Sequence, residues 1–577
     1  MSVSVDEMIR KAAVLNAIRH DGKAEPGAVL GNLLGEKPEL KPRVRELMPS
    51  VQRVVKEVNS TALTELTREA STKWPTEVVR EKPEEERRLP PLPNAANYQT
   101  IVTRVAPNPD FVLQLGNARA AILSHDYARM YEGKFIVRFE DTDPRLKKAQ
   151  LQYYEIIRED LKWLGCSWDS EYIQSDRLPI YYEIAERLLN KNAAYICTCK
   201  PEQWRALVTA KKACPDRELG APAQMQRWQK MMSGDYGEGE AVFRVKTDLT
   251  HPNPAVRDWP GFRIVDVDKT PHPRVGSRFR VWPLYNMASG TDDHELGITH
   301  VLRGKEHLTN MERQRYLYDY LGWTYPDAVH FGRLKVQGMN LSKSRMMKAL
   351  DAGEVKGVDD PRLGTLAALR RRGFSPEAIR QLMWEVGPKP VDVTISWDNL
   401  NAINRKIVDP TSHRYFFVPN PIKATVNGVE NDMEVHPPLH PQYPAMGTRT
   451  LKLKAQNGTC SILLSETDKA VLAEGKIVRL MGLFNMKTLS LLDQGLRAER
   501  LSDSSTREED LPIIQWVPAE DRVPVSIVLP DAKETLGFAE SGLAKEPNGS
   551  VVQFVRFGFC RVDSVASDRV TLYYAHN

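Results

Sequence analysis

Between residues 99 and 140 the sequence alternates apolar runs with a helical segment, and this alternation constrains the fold more than any other feature. Ile101 to Ala106 is a short apolar run, residues 115–131 carry apolar and small residues at helical spacing, and Lys134 to Phe139 is a second apolar run. A strand, a helix and a strand in this order predict a parallel sheet with a right-handed crossover. Ligands of such sheets bind at the carboxyl ends of the strands, so we expect a site just after residue 106.

The rest of the chain indicates several further domains, because 577 residues exceed what one hydrophobic core supports. Residues 1–80 show helical periodicity, and residues 81–98 combine a charge run with four prolines, which is typical of a linker. From about residue 411, short β-rich runs separated by turn residues predict one or two barrels. The predicted order is a helical N-terminal domain (1–80), a linker (81–98), an α/β domain (99–345) with an insertion around 190–260, a helical connective domain (346–410) and a β-barrel region (411–577).

Composition excludes several classes of protein. Hydrophobic residues make up 41% and charged residues 27%, as in ordinary globular proteins. The N-terminus lacks the apolar core of a signal peptide, and no segment offers roughly 18 apolar residues for a membrane helix, so we expect a cytoplasmic protein without a membrane partner. A net charge of +5 does not by itself indicate nucleic acid, and six cysteines over this length do not indicate a disulfide framework.

The loop after the first predicted strand, VAPNPDFVLQLGN (residues 105–117), leads directly into a helix. Backbone N–H groups at a helix N-terminus favour phosphate, and Gly116 would let a ligand approach closely. An ordinary strand-to-helix turn with the same residues is the alternative. The sequence contains neither a Walker A loop nor a GxGxxG turn, which disfavours the P-loop and dinucleotide classes.

Four segments in a fixed order carry a family resemblance: RVAPNP with QLGNARAA (104–121), VRFEDTDP (137–144), GITHVLRGKEH (297–307) and LSKS (341–344). Together they resemble the glutamyl-tRNA synthetase family of class I, in its archaeal and eukaryotic branch, over most of residues 99–410. The resemblance implies a Rossmann-like class I catalytic domain whose insertion handles the tRNA acceptor end, and an anticodon-binding β-barrel region. It also implies ATP-dependent activation of glutamate to glutamyl-adenylate and transfer to the 3′ end of tRNA(Glu).

The two signatures of the family are both altered in this chain. Where the family has His-Ile-Gly-His, this chain has QLGN (114–117), whose amides can donate hydrogen bonds but cannot carry charge. In the lysine signature Asn340 replaces the first lysine, while Lys343 keeps the second. The resemblance implies catalytic roles for Gln114, Gly116, Asn117 and Lys343. It implies ATP contacts, with Mg²⁺ carried by the nucleotide, for Pro107, Asn108, Gly116, Asn117, Ser342, Lys343 and Ser344.

A glutamate pocket needs cations for two carboxylates and an acid for the ammonium group. The resemblance implies that this pocket consists of Arg104, Asn108, Glu140, Tyr285, Ser289 and Arg303. Glu140 would take the ammonium, the arginines would take carboxylates, and Tyr285 could donate its hydroxyl. Glutaminyl enzymes of the family lack an arginine at the Arg303 position, which favours glutamate. Structural ion pairs are the alternative, above all for Glu140 and Asp141 beside Arg138.

Two segments contain clusters of residue types that bind metals. The acidic run TDDHELG, from Thr291, groups carboxylates with His294 as a metal site would, and a helix-starting turn explains it equally well. The resemblance implies no metal here. Cys197, Cys199 and Cys214 resemble the zinc-binding knob inserted in some of these enzymes. The fourth ligand falls near Asp216, where cysteine or histidine would be usual. Structural zinc and an ordinary insertion with free thiols both remain open.

The partners that the resemblance implies are tRNA(Glu), L-glutamate and ATP, bound by a monomer. In the β-rich region Arg479, Phe484 and Arg556 are candidates for stacking on or hydrogen-bonding anticodon bases. Two rival functions remain. One is a glutaminyl-tRNA synthetase, against which Arg303 argues; the other is a catalytically silent tRNA-binding protein, suggested by the missing signature histidines.

Overall fold

The helices near the N-terminus follow the apolar periodicity of the sequence. The structure is a computed structural model that describes residues 5–19, 22–74, 89–338, 342–492, 495–503 and 511–577. Contacts divide the chain into units at residues 1–88 and 89–577. The first contains α1 (Val5–Arg19), α2 (Pro26–Glu36), α3 (Val44–Asn59) and α4 (Leu63–Lys73). The buried residues of α3 lie one to four positions apart and form a single apolar stripe in the core: Leu47, Val51, Val54, Val55 and Val58.

A parallel sheet organises the first part of the second unit. Its strands are β1 (Val102–Val105), β2 (Lys134–Phe139) and β3 (Ser170–Ile173), in the spatial order β1-β2-β3. The crossover helices are α5 (Leu115–Met130) and α6 (Leu151–Trp163), so the predicted strand–helix–strand unit is confirmed.

An antiparallel sheet interrupts this parallel arrangement. It contains β4 (Ala194–Cys197), β5 (Val242–Val245), β6 (Pro260–Ile264) and β7 (Val281–Pro283) in sequential order. Helices α7 (Leu178–Asn190), α8 (Pro201–Thr209) and α9 (Ala221–Ser233) accompany it. A core rich in aromatic residues, with Trp228, Trp259 and Trp282 almost fully buried, holds the sheet together. The sheet begins within the predicted insertion around 190–260 and continues to Pro283.

The parallel sheet resumes after α10 (Tyr285–Glu295). Strand β8 (His300–Gly304) pairs in parallel with β9 (Asp327–Phe331), and α11 (Leu308–Leu321) connects them. The Thr299 N–H donates to the Val102 carbonyl over 2.9 Å, which sets β8 beside β1. The carboxyl ends of β1, β2, β8 and β9 therefore meet at one edge of the sheet.

The C-terminal part of the predicted linker, residues 89–98, is packed within the second unit. Leu89 and Leu92 are buried in a cluster with Ile101, and the Tyr127 hydroxyl donates to the Pro90 carbonyl over 2.8 Å. The interpretation as a linker is wrong for residues 89–98, because the segment's leucines fill an apolar groove and its carbonyls accept hydrogen bonds. Residues 81–88 lie outside the described part of the chain.

Helices connect the parallel sheet to the C-terminal region. They are α12 (Lys343–Asp351), α13 (Leu366–Arg372), α14 (Pro376–Val386) and α15 (Trp397–Val408); the short strands β10 (Leu334–Val336) and β11 (Val393–Ile395) pair in parallel. Gly373 has φ +97° and ends α13, so a glycine in the left-handed region separates α13 from α14. Hydroxyl groups cap the last three helices by accepting backbone N–H bonds: those of Thr365, Ser375 and Ser396.

The C-terminal region consists of β strands, as the turn-rich pattern predicted. They are β12 (Arg414–Tyr415), β13 (Phe417–Pro419), β14 (Pro421–Asn427), β15 (Met433–Val435), β16 (Leu451–Leu453), β17 (Ala455–Gln456), β18 (Thr459–Ser465), β19 (Ile477–Leu480), β20 (Phe484–Leu492), β21 (Gly495–Asp503), β22 (Ile513–Ile514), β23 (Val517–Pro518), β24 (Arg522–Val528), β25 (Glu534–Glu540), β26 (Val551–Phe554), β27 (Gly558–Val565) and β28 (Val570–His576).

These strands form two large sheets with separate apolar cores. The seven-stranded sheet has the order β12-β26-β27-β28-β24-β25-β13. The eight-stranded sheet has the order β17-β18-β14-β21-β20-β19-β22, and its eighth strand, β23, pairs with β18. One residue separates β12 from β13, the two edge strands of the first sheet, so that sheet curls into a barrel. Among the described helices, none has the length and apolar character needed to cross a bilayer.

Candidate active site

A cavity of about 950 Å³ lies at the carboxyl ends of the parallel strands. Most of the predicted site residues line it, although the sequence separates them by up to two hundred positions. They are Arg104, Pro107, Asn108, Gln114, Gly116, Asn117, Glu140, Tyr285 and Arg303. Ser289, Ser342, Lys343 and Ser344 do not line it. This edge of the sheet is where a ligand of a parallel α/β fold is expected to bind.

The N-terminus of α5 forms one wall of the cavity and is fixed by backbone hydrogen bonds. The Leu115 N–H donates to the Gly364 carbonyl over 3.1 Å, and the Leu366 N–H donates to the Leu113 carbonyl over 3.0 Å. The Gln114 N–H donates to Asn117 Oδ1 over 3.0 Å, which leaves the Asn117 amide nitrogen as that side chain's donor. A Cβ at Gly116 would meet no atom within 4 Å, so this glycine keeps open the space in front of the helix terminus.

The lysine segment lies beside this wall. Lys343, the first residue of α12, forms an ion pair with Asp110, which belongs to the loop between β1 and α5. The Ser342 and Ser344 hydroxyl oxygens are 3.1 Å apart. Asn340 and Leu341, which complete the predicted signature, lie outside the described residues. The two segments that the sequence predicts to act on one nucleotide are therefore neighbours.

Two buried arginines at the cavity are neutralised by acids. Arg104 donates from Nε and Nη2 to the two Asp293 carboxylate oxygens, over 3.0 and 3.1 Å. Arg138 donates to Asp293 Oδ1 over 2.6 Å, to Glu140 Oε1 over 2.9 Å and to the Ser289 hydroxyl over 3.1 Å. Burial alone would raise the pKa of Asp293, but the two guanidinium groups hold it well below its ordinary value. Sequence reasoning missed Asp293 as a member of this site.

The acidic run from Thr291 lies at the end of α10, so the interpretation as a helix-starting turn is wrong. Carboxylates at a helix C-terminus meet an unfavourable dipole and need positive partners. Asp292 accepts from Arg177 Nε over 2.8 Å and from the Tyr181 hydroxyl over 2.7 Å. Asp292 and Asp293 are thus anchors for arginines on neighbouring elements.

Arg303 differs from the other two arginines. It donates to the Tyr325 hydroxyl over 2.8 Å, to Gln314 Oε1 over 3.3 Å and to His330 Nε2 over 3.3 Å. Among the residues that the structure describes, no carboxylate pairs with it. Its side chain is 5% exposed and lines the cavity, so a buried positive charge without a counter-ion faces the ligand space.

The imidazoles near Arg303 add no further charge. Burial, together with the positive charge of Arg303, lowers the pKa of His307 to about 4 and that of His330 to about 4. Both rings are neutral at pH 7, and His330 can therefore accept a hydrogen bond from Arg303.

Comparisons with known proteins agree with this geometry. A family model described as "tRNA synthetases class I (E and Q), catalytic domain" matches residues 100–410, and models of the anti-codon binding domain of the same group match residues 412–498 and 513–563. The chain belongs to the class I tRNA synthetases of the E and Q group. This confirms the family and the fold class predicted from the four sequence segments.

Relatives of this class I chain match it from end to end. The glutamate–tRNA ligase of Thermococcus onnurineus (strain NA1) is 49% identical, with 100% of both chains covered. That of Pyrococcus furiosus is 48% identical over the same shares, and that of Methanopyrus kandleri is 43% identical over 99% of each chain.

In this class I synthetase the sulfur atoms of the three clustered cysteines lie close together. Cys214 Sγ lies 3.6 Å from Cys197 Sγ and 3.1 Å from Cys199 Sγ, and Asp216 Oδ2 lies 3.8 Å from Cys214 Sγ. All four ligand atoms fall within 4.8 Å of one another. Tetrahedral zinc–thiolate bonds imply sulfur separations of about 3.8 Å, so the donor set fits the metal.

The structure excludes one of the three predicted anticodon contacts in the synthetase's β region. Phe484 is fully buried in the core of the eight-stranded sheet, so it cannot stack on a base, and that expectation is wrong. Asn485 and Met486, the next two residues of the strand, are buried as well, so both faces of the strand are covered at this end. Arg556 is exposed and pairs with Asp468 over 2.8 Å, and Arg479 donates to Asn485 Oδ1 over 3.2 Å.

Proposed function

We propose that this protein attaches L-glutamate to tRNA(Glu). The first step activates glutamate with ATP to give glutamyl-adenylate and pyrophosphate, and the second transfers the glutamyl group to the 3′ end of the tRNA. Full-length relatives that carry the name glutamate–tRNA ligase support this proposal. The observation that carries it is the charge of the cavity wall.

Two arginines and two acids in the buried cluster at that wall cancel one another. The positive charges of Arg104 and Arg138 oppose the negative charges of Asp293 and Glu140, which leaves Arg303. Glutamate carries a net charge of −1 and complements this wall, whereas glutamine is neutral overall. A buried guanidinium facing a neutral amide would stay unpaired, at a cost of several kcal/mol.

In the proposed complex Arg303 binds the side-chain carboxylate, and Arg104 binds the other carboxylate with the donors that Asp293 does not use. Burial raises the pKa of Glu140 above its ordinary value, although Arg138 and Arg104 oppose the shift. A bound ammonium group would lower that pKa again, so Glu140 suits the amino group. Asn108 and Tyr285 complete the pocket. Ser289 contributes indirectly, because its hydroxyl accepts from Arg138.

Activation is an in-line attack by the glutamate carboxylate on the α-phosphorus of ATP, which needs positioning and charge neutralisation. We assign the phosphates to the N-terminus of α5, with Gln114, Gly116 and Asn117, and to Lys343. Pro107 and Asn108, with Ser342 and Ser344, form the remaining nucleotide contacts in this proposal. Mg²⁺ enters with ATP and neutralises phosphate charge.

The four-ligand cluster at Cys197, Cys199, Cys214 and Asp216 would hold a structural zinc ion in the acceptor-end insertion. Asp216 Oδ2 also accepts from the Thr198 N–H over 2.7 Å, which orients the carboxylate toward the thiols. The ion would fix the end of β4 to the segment that follows α8. The protein acts as a cytoplasmic monomer, with the β region reading the anticodon.

ATP–pyrophosphate exchange tests the proposal against its rivals. Exchange that depends on glutamate in the presence of tRNA(Glu) supports it. Exchange with glutamine instead would identify a glutaminyl-tRNA synthetase. No exchange by protein that still binds tRNA would identify a silent tRNA-binding protein, which the missing signature histidines make worth testing.

A further inference from the structure

The loop between β1 and α5 carries a buried acid, Asp110, beside the cavity in which we place the triphosphate. Asp110 follows Pro107 and Asn108, which line the cavity, and its side chain is 7% exposed. The Asp110 N–H donates to Asn108 Oδ1 over 3.1 Å, which fixes the turn. A carboxylate here repels phosphate oxygens unless a cation neutralises it. In the described parts of the chain, Lys343 is the cation within salt-bridge distance of Asp110.

Lys343 lies outside the ligand space. It does not line the cavity, although Asn108 and Gln114 on the same loop do. Its ammonium group lies on Asp110, and 35% of its side chain is exposed. The residue proposed to neutralise the phosphates is therefore paired with an acid of the protein while no nucleotide is bound.

The backbone that carries Lys343 is already docked on the same loop. Met346, one turn along α12, is buried in a cluster with Phe111 and Val112. Tyr153 of α6 belongs to the same cluster and packs its ring edge-on against Phe111, with centroids 5.8 Å apart. Because these apolar contacts hold α12, transfer of the lysine from Asp110 to a phosphate requires rotation of its side chain rather than movement of the helix.

We propose that Asp110 is a positioning residue that holds Lys343 outside the cavity until Mg·ATP binds, so that the nucleotide must compete with Asp110 for the lysine. This inference rests on the proposed function, since it assumes that Lys343 serves the ATP phosphates. The apparent affinity for ATP then depends on the fraction of molecules in which the lysine is free, and it falls as that fraction falls. Removing the acid frees the lysine and raises that affinity.

The test is Asp110→Asn, which keeps the shape of the side chain and removes its charge. A partly exposed ion pair contributes ~1 kcal/mol, and at 1.4 kcal/mol per tenfold this corresponds to a change of about fivefold in the Kd of ATP. We expect the Kd of Mg·ATP, measured by calorimetry, to fall about fivefold. The KM of glutamate stays constant, and kcat for pyrophosphate exchange changes far less than the Kd. Asp351→Asn, at the other end of α12, is the matched charge control and leaves the Kd of ATP unchanged.

A second measurement follows the lysine itself. The free protein is treated with an amine-acetylating reagent, and mass spectrometry compares the labelling of Lys343 with that of Lys348, an internal standard on the same helix. The proposal predicts about fivefold faster relative labelling of Lys343 in Asp110→Asn than in wild type. Asp110→Ser replaces the asparagine variant in both experiments if that variant does not fold.

Two results would overturn the proposal. Equal labelling of Lys343 in wild type and variant would mean that Asp110 does not hold the lysine. Weaker ATP binding together with a lower kcat in the variant would mean that Asp110 orients the lysine for the reaction instead of competing for it. If wild-type protein shows no glutamate-dependent exchange at all, the proposed function fails, and labelling still reports on the Asp110–Lys343 pair.

Discussion

Replacing Arg303 by alanine should damage glutamate binding selectively. In the proposed complex its guanidinium gives the side-chain carboxylate charge-assisted hydrogen bonds in a buried site, and losing them costs about 3 kcal/mol. At 1.4 kcal/mol per tenfold this is roughly a 100-fold rise in the KM of glutamate. The KM of ATP should change less than about threefold, since binding of the nucleotide does not use this charge.

The variant should fold normally, because Arg303 has no carboxylate partner among the described residues and its removal leaves no buried carboxylate unpaired. The Tyr325 hydroxyl keeps its 2.8 Å hydrogen bond to Gln314. Pyrophosphate exchange at varied glutamate and ATP gives both KM values. Arg333→Ala is the control, since Arg333 lines the same cavity with a side chain that is 64% exposed. Parallel rises of both KM values, or an unchanged KM for glutamate, would refute the assignment.

Three further variants test separate parts of the molecule. Lys343→Ala should lower the rate of activation by at least tenfold and leave the Kd of tRNA unchanged, because the lysine acts on the phosphates. Asp293→Asn should lower the free energy of unfolding, measured in urea, by about 3–5 kcal/mol, since it leaves Arg104 and Arg138 short of a counter-charge. The pKa of Asp293 is held below its ordinary value of 3.8, so its contribution is complete above that pH and is lost as the pH falls through the lower folded-state pKa. Cys214→Ser should reduce the zinc content of purified protein, measured by mass spectrometry of metals, from about one ion per chain to near zero.

Each of these variants has a control on the same structural element or of the same residue type. Lys348→Ala should preserve the activation rate, Glu295→Gln should preserve the stability, and Cys460→Ala should preserve the zinc content. Full activation by Lys343→Ala would remove the lysine from its role. Wild-type stability in Asp293→Asn would mean that the arginines find other partners. Zinc retained by Cys214→Ser, or absent from wild type, would rule out the four-ligand site.

The sequence predicted those parts of the site that depend on chain-local patterns. Apolar periodicity located β1, α5 and β2, and the rule that ligands bind at the carboxyl ends of parallel strands located the cavity. Arg104, Glu140 and Arg303 could be named in advance because each belongs to one of the short motifs that carry the family resemblance.

Pairings across long stretches of chain could not be predicted in this way. Asp293 lies 189 positions from Arg104, and nothing near either residue indicates their contact. The ion pair of Lys343 with Asp110 likewise depends on how α12 packs on a distant loop. Phe484 was misassigned for a related reason, since an aromatic residue in a β strand does not reveal whether distant parts of the chain cover it.

The most direct test of the account is a competition between glutamate and glutamine in aminoacylation of tRNA(Glu) by the wild-type protein. A buried Arg303 without a carboxylate partner among the described residues predicts that kcat/KM for glutamate exceeds that for glutamine by at least 100-fold, and that Arg303→Ala removes most of this preference. Equal use of both amino acids, or a preference that survives in Arg303→Ala, would contradict the claim that this charge selects the substrate.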